Sequence, residues 1–267
     1  MSEAWSEATA LIGANREVLL IVAGIFFFLP ALALSFALGD MRELMQAGDA
    51  AAMQQALAES YGAIWWLMLL GLLVQIVGYL ALLALLRDAS KPTVGDAIKT
   101  ALIGTLPAFA AYLLVLLAIS IAVGVLIGVA AATGSAAVVG IVGIVSAVVT
   151  ATLLVKSALA SPVIAIEKTY NPFKALARSW RLTKGHGLRL FLFFLLIFIV
   201  YMVVSLVVGM VLQALLLVLG ESMAVVVNGL LSGLLGAAVA VVLIAVLAAV
   251  HRQLAGPSAE AVSATFE

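Results

Sequence analysis

Asn171–Arg189, NPFKALARSWRLTKGHGLR, is the stretch that decides how this chain folds, because it sets a run of cations between two long apolar segments. Those cations are Lys174, Arg178, Arg181, Lys184 and Arg189. Elsewhere charge is scarce. Of the 267 residues, 10% are charged and 66% are hydrophobic, whereas a soluble domain carries about 25% charged residues. The sequence therefore predicts a membrane protein in which this stretch lies at the membrane surface.

Six segments are apolar over the ~20 residues that a helix needs to cross the hydrocarbon core of a bilayer. They are Val18–Leu38, Ala63–Leu86, Leu106–Ala132, Ala136–Leu159, Leu190–Leu219 and Ala224–Val250. We therefore expect an all-α polytopic fold with six transmembrane helices. Interfacial amphipathic helices are expected on the cytoplasmic side, and residues 1–252 should form one integral membrane domain. Residues 253–267 are predicted to be a flexible cytoplasmic tail.

The placement of Lys and Arg around the spans predicts the orientation, because basic residues concentrate in cytoplasmic loops. Of the 13 basic residues, all except Arg42 fall beside the termini or in and next to the 87–105 and 160–189 loops. The loop 39–61, which holds Arg42, is predicted to be helical and to lie on the opposite side. We therefore expect an inner-membrane protein with both termini in the cytoplasm. The N-terminus lacks the basic start that is typical of a secretory signal.

A short internal similarity suggests that the chain is built from repeats. Thr9–Gly13, TALIG, recurs as Thr100–Gly104, and each copy precedes an apolar span. The hypothesis is three units, 1–86, 87–160 and 161–252, each made of a cytoplasmic surface helix followed by a helical hairpin. The alternative is six ordinary spans with interfacial helices in their loops.

The basic stretch itself is predicted to be a helix that lies along the membrane surface. Asn171 is a good N-cap, Pro172 suits the first helical position, and Lys184-Gly185 is a plausible end. At 100° per residue, the cations form one arc and the apolar side chains an adjoining face. The arc contains Lys174, Arg178 and Arg181, and the apolar face contains Phe173, Leu176, Ala177 and Trp180. We predict lipid or anion binding by the basic residues with Trp180, and surface anchoring is the simpler alternative.

Polar residues within the spans are sparse, and Gln75, Gln213 and Asn228 stand out among them. Such residues usually form interhelical hydrogen bonds. The mid-span positions hold no Asp or Glu, which argues against an ion-coupled pump. Gln75, Gln213 and Asn228 could still line a cavity for a solute.

Two GxxxG patterns lie in apolar spans and would allow close helix packing. One is Gly124/Gly128 and the other is Gly229/Gly233. Packing within the chain is the simpler interpretation, and a homo-oligomer contact is the alternative.

Enzymatic activity has little support in the sequence. It lacks cysteine, an HExxH zinc motif, a GxSxG elbow and a Walker loop, so we expect no catalytic residues, no metal site and no cofactor. Glu167 follows the fourth span, and a local ion pair with Lys168, Lys174 or Arg178 is its simplest role. The zero net charge suggests no nucleic-acid partner.

Residues 162–185 nevertheless resemble a known family. Pro162–Glu167, PVIAIE, and Asn171–Gly185, NPFKALARSWRLTKG, are similar to a signature of the membrane domain found beside some glycerophosphoryl diester phosphodiesterases and in stand-alone six-span relatives. The resemblance implies a six-span envelope protein. The catalytic phosphodiesterase barrel of such proteins has no counterpart in this chain, so the resemblance implies no such activity.

These observations favour a non-enzymatic inner-membrane protein that binds or organises anionic lipid at a cytoplasmic basic belt. Membrane phospholipids would then be its partners. One alternative is a transporter or channel for a lipid-like or anionic solute. Another is a membrane scaffold for a soluble partner, whose identity the sequence does not indicate.

Overall fold

The computed structural model describes residues 2–37, 50–86, 93–219 and 221–256, and within these ranges the fold is built from helices. The elements are α1 Ser2–Ala14, α2 Arg16–Ala23, a π-helical turn Gly24–Phe28, α3 Leu29–Ala37, α4 Ala50–Leu85, α5 Val94–Thr133, α6 Ala136–Ser157, α7 Ala160–Ala165, α8 Pro172–Leu182, α9 Gly187–Leu219 and α10 Glu221–Ala255.

Six helical segments of the described residues are long and apolar enough to cross a membrane. They are Arg16–Phe36, Trp65–Leu85, Val94–Thr133, Ala136–Ala165, Gly187–Leu212 and Val226–Ala255. The predicted all-α polytopic fold with six spans is therefore confirmed. Of the loop helix predicted over 39–61, residues 50–61 are helical and form the first part of α4, without a break before the second span. Residues 39–49, with Arg42, lie outside the described part of the chain.

The first, second and sixth spans pack closely, and glycines make this possible. Gly78 of α4 lies so near the π-helical turn that an added Cβ would stand 2.3 Å from the Cβ of Phe26. Gly229 and Gly233 of α10 face the first span in the same way, against Ser35 and Phe28. This second GxxxG pattern is thus used for packing within the chain. An added Cβ at Gly124 or Gly128 of α5 would meet no atom within 4 Å.

Burial is concentrated at one end of the bundle, the end that holds the basic stretch. The longest buried runs are Leu80–Ala84 in α4, Pro162–Ala165 in α7 and Ile244–His251 in α10, and most of these side chains belong to one core. Along α5, α6 and α9, many large apolar side chains are exposed. Such surfaces suit contact with lipid tails, which are as apolar as the side chains themselves.

The two ends of the described chain lie together at this same end of the bundle. Ala4 and Ala8 of α1 are buried where α1 packs against α10. Glu7 accepts a bond from Arg252 Nε at 2.9 Å and another from Gln253 Nε2 at 3.5 Å. The helix α10 continues through Ala255, past residue 253 where the tail is predicted to begin, and residues 257–267 lie outside the described part.

The three predicted repeat units differ in their first element. α1 is separate from the first span, with a break at Asn15, and α8 is separate from the fifth span, with Gly185 in a left-handed conformation. In the middle unit, by contrast, Val94–Thr133 is one continuous helix of 40 residues. A separate surface helix is therefore absent from the described part of that unit, and the threefold repeat stays a hypothesis.

Candidate functional site

Helix α8 forms where the sequence predicts it, because its ends carry clear signals. The Asn171 side chain accepts a hydrogen bond from the Lys174 backbone N at 3.1 Å, and Pro172 occupies the first turn. The helix ends at Leu182, and Gly185 then takes a φ of +83°, which a residue with a side chain would adopt only with strain. The predicted N-cap is confirmed, and the helix ends two residues before the predicted stop at Lys184-Gly185.

One face of α8 docks on the bundle. Ala175, Ser179 and Leu182, spaced four and three residues apart, are buried. The Ser179 hydroxyl donates a hydrogen bond of 2.5 Å to the backbone carbonyl of Lys156, at the end of α6. Sequence reasoning missed this face, since two of its three residues are small or polar. The signal that could have found it is the i, i+4, i+7 spacing itself.

The other predicted site residues of this region divide into two groups. Lys174, Arg181, Lys184 and Arg189 are exposed. Arg178 instead donates from Nε to both carboxylate oxygens of Glu167, each at 3.2 Å. Its charge is therefore paired within the protein, as the simplest interpretation of Glu167 predicted.

Glu167 also has a second partner, which its sequence neighbours do not reveal. His251 Nε2, on α10, lies 3.0 Å from Glu167 Oε1. The His251 side chain is 4% exposed, against 26% for Glu167 and 35% for Arg178. A carboxylate that accepts from two elements fixes them relative to one another. The cluster thus ties the loop before α8, α8 itself and the end of the sixth span together.

Trp180 lies on the side of α8 that faces the third and fourth spans. Lys156 Nζ stands 5.0 Å from the centre of its ring, a cation–π contact. The ring lines a groove of about 120 Å³ between α5, α6 and α8, with mainly apolar walls. The predicted embedded face of α8 is thus only partly accessible to lipid: Leu176 is half-buried, whereas Phe173 and Trp180 are exposed.

The polar residues predicted within the spans lie on three different helices. Gln75 is half-buried in α4. Asn228 of α10 accepts a hydrogen bond of 3.2 Å from Ser232 on the same helix. Gln213 belongs to α9, and its side chain is outside the described part of the structure. Among the described residues, no three His, Cys, Asp or Glu side chains come close enough to hold a metal ion.

The chain belongs to a family described as a domain of unknown function, DUF7847, whose model matches residues 4–261. No curated protein and no solved structure matches the chain. The family description gives no activity. The resemblance of residues 162–185 to the phosphodiesterase-associated membrane domains therefore stays a prediction.

Proposed function

We propose that this DUF7847 protein is a non-enzymatic inner-membrane protein that binds and organises anionic lipid on its cytoplasmic side, through the exposed cations of α8 and the turn after it. The observation that carries the proposal is the docking of α8. With Ala175, Ser179 and Leu182 buried against the bundle, the helix holds Lys174 and Arg181 exposed on a fixed support.

Electrostatics at a membrane surface supports this role. A Lys or Arg near an anionic leaflet contributes about 1 kcal/mol to membrane attraction. Phe173, 67% exposed at the start of α8, is an aromatic side chain of the kind that enters the headgroup region. Arg178 is excluded from the binding set because Glu167 neutralises it. The binding residues are therefore Lys174, Arg181, Lys184 and Arg189, with Trp180 beside them.

The test is lipid selectivity after purification in mild detergent, measured by native mass spectrometry with equal amounts of anionic and zwitterionic phospholipid. We expect the wild-type protein to retain anionic lipid preferentially. K174Q/R181Q removes two exposed cations and should weaken that retention about 30-fold, from ~1 kcal/mol for each.

Two variants serve as controls. R16Q/K99Q removes the same charge from exposed positions outside α8, and Arg178→Gln removes the paired cation within it. Both should keep the lipid preference. Equal retention of the two lipids by the wild-type protein, or equal losses in K174Q/R181Q and R16Q/K99Q, would overturn the proposal.

Transport is less well supported by the packing at the basic end. The core there consists mainly of Leu, Ile, Val and Ala from α4, α7 and α10, which offer few polar groups to line a path for an anionic solute. A scaffold role for α8 stays an alternative. Crosslinking from 171–189 to a soluble protein in cells, without lipid selectivity, would favour it.

A further inference from the structure

We propose that the groove between α5, α6 and α8 is a stoichiometric site for one anionic glycerophospholipid, with the upper part of an acyl chain in the groove and the phosphate between Lys156 and Arg181. This inference rests on the proposed function and makes it specific. It replaces diffuse attraction to a charged leaflet with one site of defined shape.

The apolar half of the site is the groove itself. Its walls include Leu114, Val115 and Ala118 of α5, Leu153 of α6, and Ala177 and Trp180 of α8. Ala118, Ala177 and Trp180 are exposed, so the groove is open along one side. Its volume is about 120 Å³. That is room for the few methylenes nearest the glycerol, and the rest of the chain would continue along the exposed apolar surface of α5 and α6.

The polar half of the site is Lys156. This lysine is half-buried at the end of α6, and its ammonium rests on the Trp180 ring. No carboxylate of the described residues pairs with it, in contrast to Arg178. A partly buried ammonium gains from an anion in contact, because the low local dielectric strengthens the attraction. The ring that holds Lys156 also lines the groove, so an anion at Lys156 would lie at its edge.

The register of α8 places two further cations on the helix face that lines the groove. Ala177 lines the groove, and Lys174 and Arg181 lie three residues before it and four residues after it, on the same stripe of the helix. The groove is therefore bordered by cations, and its interior is apolar. A lipid that has both an acyl chain and a negatively charged headgroup matches this combination, whereas a neutral detergent or a free acyl chain matches only part of it.

The experiment fills the groove without changing any charge. Ala177→Leu places a larger side chain at the groove wall, and Ala147→Leu, at an exposed position of α6 away from the groove, is the matched control. The probe is an anionic phospholipid brominated on its acyl chain, titrated against Trp180 fluorescence. The host protein has Trp5, Trp65 and Trp66 replaced by Phe, and retained lipid is counted by native mass spectrometry.

We expect saturable quenching at one lipid per chain, absent from Ala177→Leu and unchanged in Ala147→Leu. Lys156→Gln should weaken the lipid about fivefold, from the loss of ~1 kcal/mol, and Lys156→Arg should restore it. Inorganic phosphate should not displace the lipid. If phosphate does displace it, the site recognises the anion alone and the acyl-chain assignment is wrong.

The outcomes separate this inference from the broader proposal. Suppose that K174Q/R181Q loses the anionic lipid, whereas Ala177→Leu and Lys156→Gln retain it. That result would overturn the groove site but would still support lipid binding by the exposed cations of α8. A wild-type protein without preference for anionic lipid would overturn both.

Discussion

Glu167 joins three parts of the molecule through a single carboxylate. It accepts from Arg178 on α8 and from His251 at the end of α10, and its own backbone follows α7. Because His251 is almost fully buried, loss of the bond to Glu167 would leave its Nε2 with little access to water. The Arg178 side chain is about a third exposed, so water and salt screen that pair more strongly.

This difference in burial predicts the order of two substitutions. Glu167→Ala removes the partner of both Arg178 and buried His251 and should lower the free energy of unfolding by about 2 kcal/mol. Arg178→Ala leaves the Glu167–His251 bond intact and should cost about 1 kcal/mol or less. Apparent thermal midpoints in one detergent measure both. A larger loss in Arg178→Ala than in Glu167→Ala would contradict the role given to His251.

At the scale of elements, the sequence of α8 predicts where the helix begins but not which face packs against the bundle. Its start at Pro172 was predictable, because an Asn cap followed by proline is a local signal. Its docking face was not, since Ser179 binds the Lys156 carbonyl, a main-chain group 23 residues away. Backbone carbonyls at a helix end have no partner within the helix, and the pattern of side chains does not show which group will bind them. The groove depends on that docking and was equally unpredictable.

Individual glycines also determine where the spans pack closely. A GxxxG pattern alone does not show which glycines lie at a helix contact. Gly233 contacts Phe28, whereas Gly128 has open space around it, although both belong to such a pattern. Among the glycines of the described residues, the closest approach is at Gly78, which belongs to neither pattern. The position of a glycine relative to a neighbouring span, rather than the motif, therefore decides which glycines hold spans together.

Alanine substitutions test this assignment. Gly78→Ala forces a Cβ against Phe26 and should destabilise the fold by about 1–3 kcal/mol, the usual cost of overpacking. Gly124→Ala meets nothing and should be neutral or stabilising by up to about 1 kcal/mol, from helix propensity. Thermal midpoints of the two variants provide the comparison. Equal thermal midpoints for the two alanine variants would contradict the close packing of α4 against the first span.

For the whole molecule, the number of spans was predictable because the thickness of the hydrocarbon core sets a length that any sequence must meet. Which end of the bundle is packed was not predictable. The spans are apolar on all sides, so periodicity does not identify a buried face. The partnership of Glu167 with His251, 84 residues apart, is a property of the assembled bundle and has no local signal.

The predicted orientation, with both termini in the cytoplasm, rests on the distribution of Lys and Arg and can be tested directly. Ser6 and Lys184 lie at the end of the bundle that we assign to the cytoplasm, and Ser135 lies in the turn at the opposite end. Because the chain has no cysteine, single variants Ser6→Cys, Lys184→Cys and Ser135→Cys each give one labelling site. In intact cells a membrane-impermeant maleimide should label only Ser135→Cys. Labelling of Ser6→Cys and Lys184→Cys, but not of Ser135→Cys, would show that the orientation is the reverse of the predicted one.

The most direct measurement of the central claim is an experimental structure of the protein crystallised from a lipidic phase doped with anionic phospholipid. Elongated density should enter the groove beside Trp180, and its phosphate should lie within contact of Lys156 or Arg181. Arg178 should remain on Glu167. A dry or detergent-filled groove with no headgroup density along α8, or a headgroup bound at Arg178 in place of Glu167, would contradict the claim.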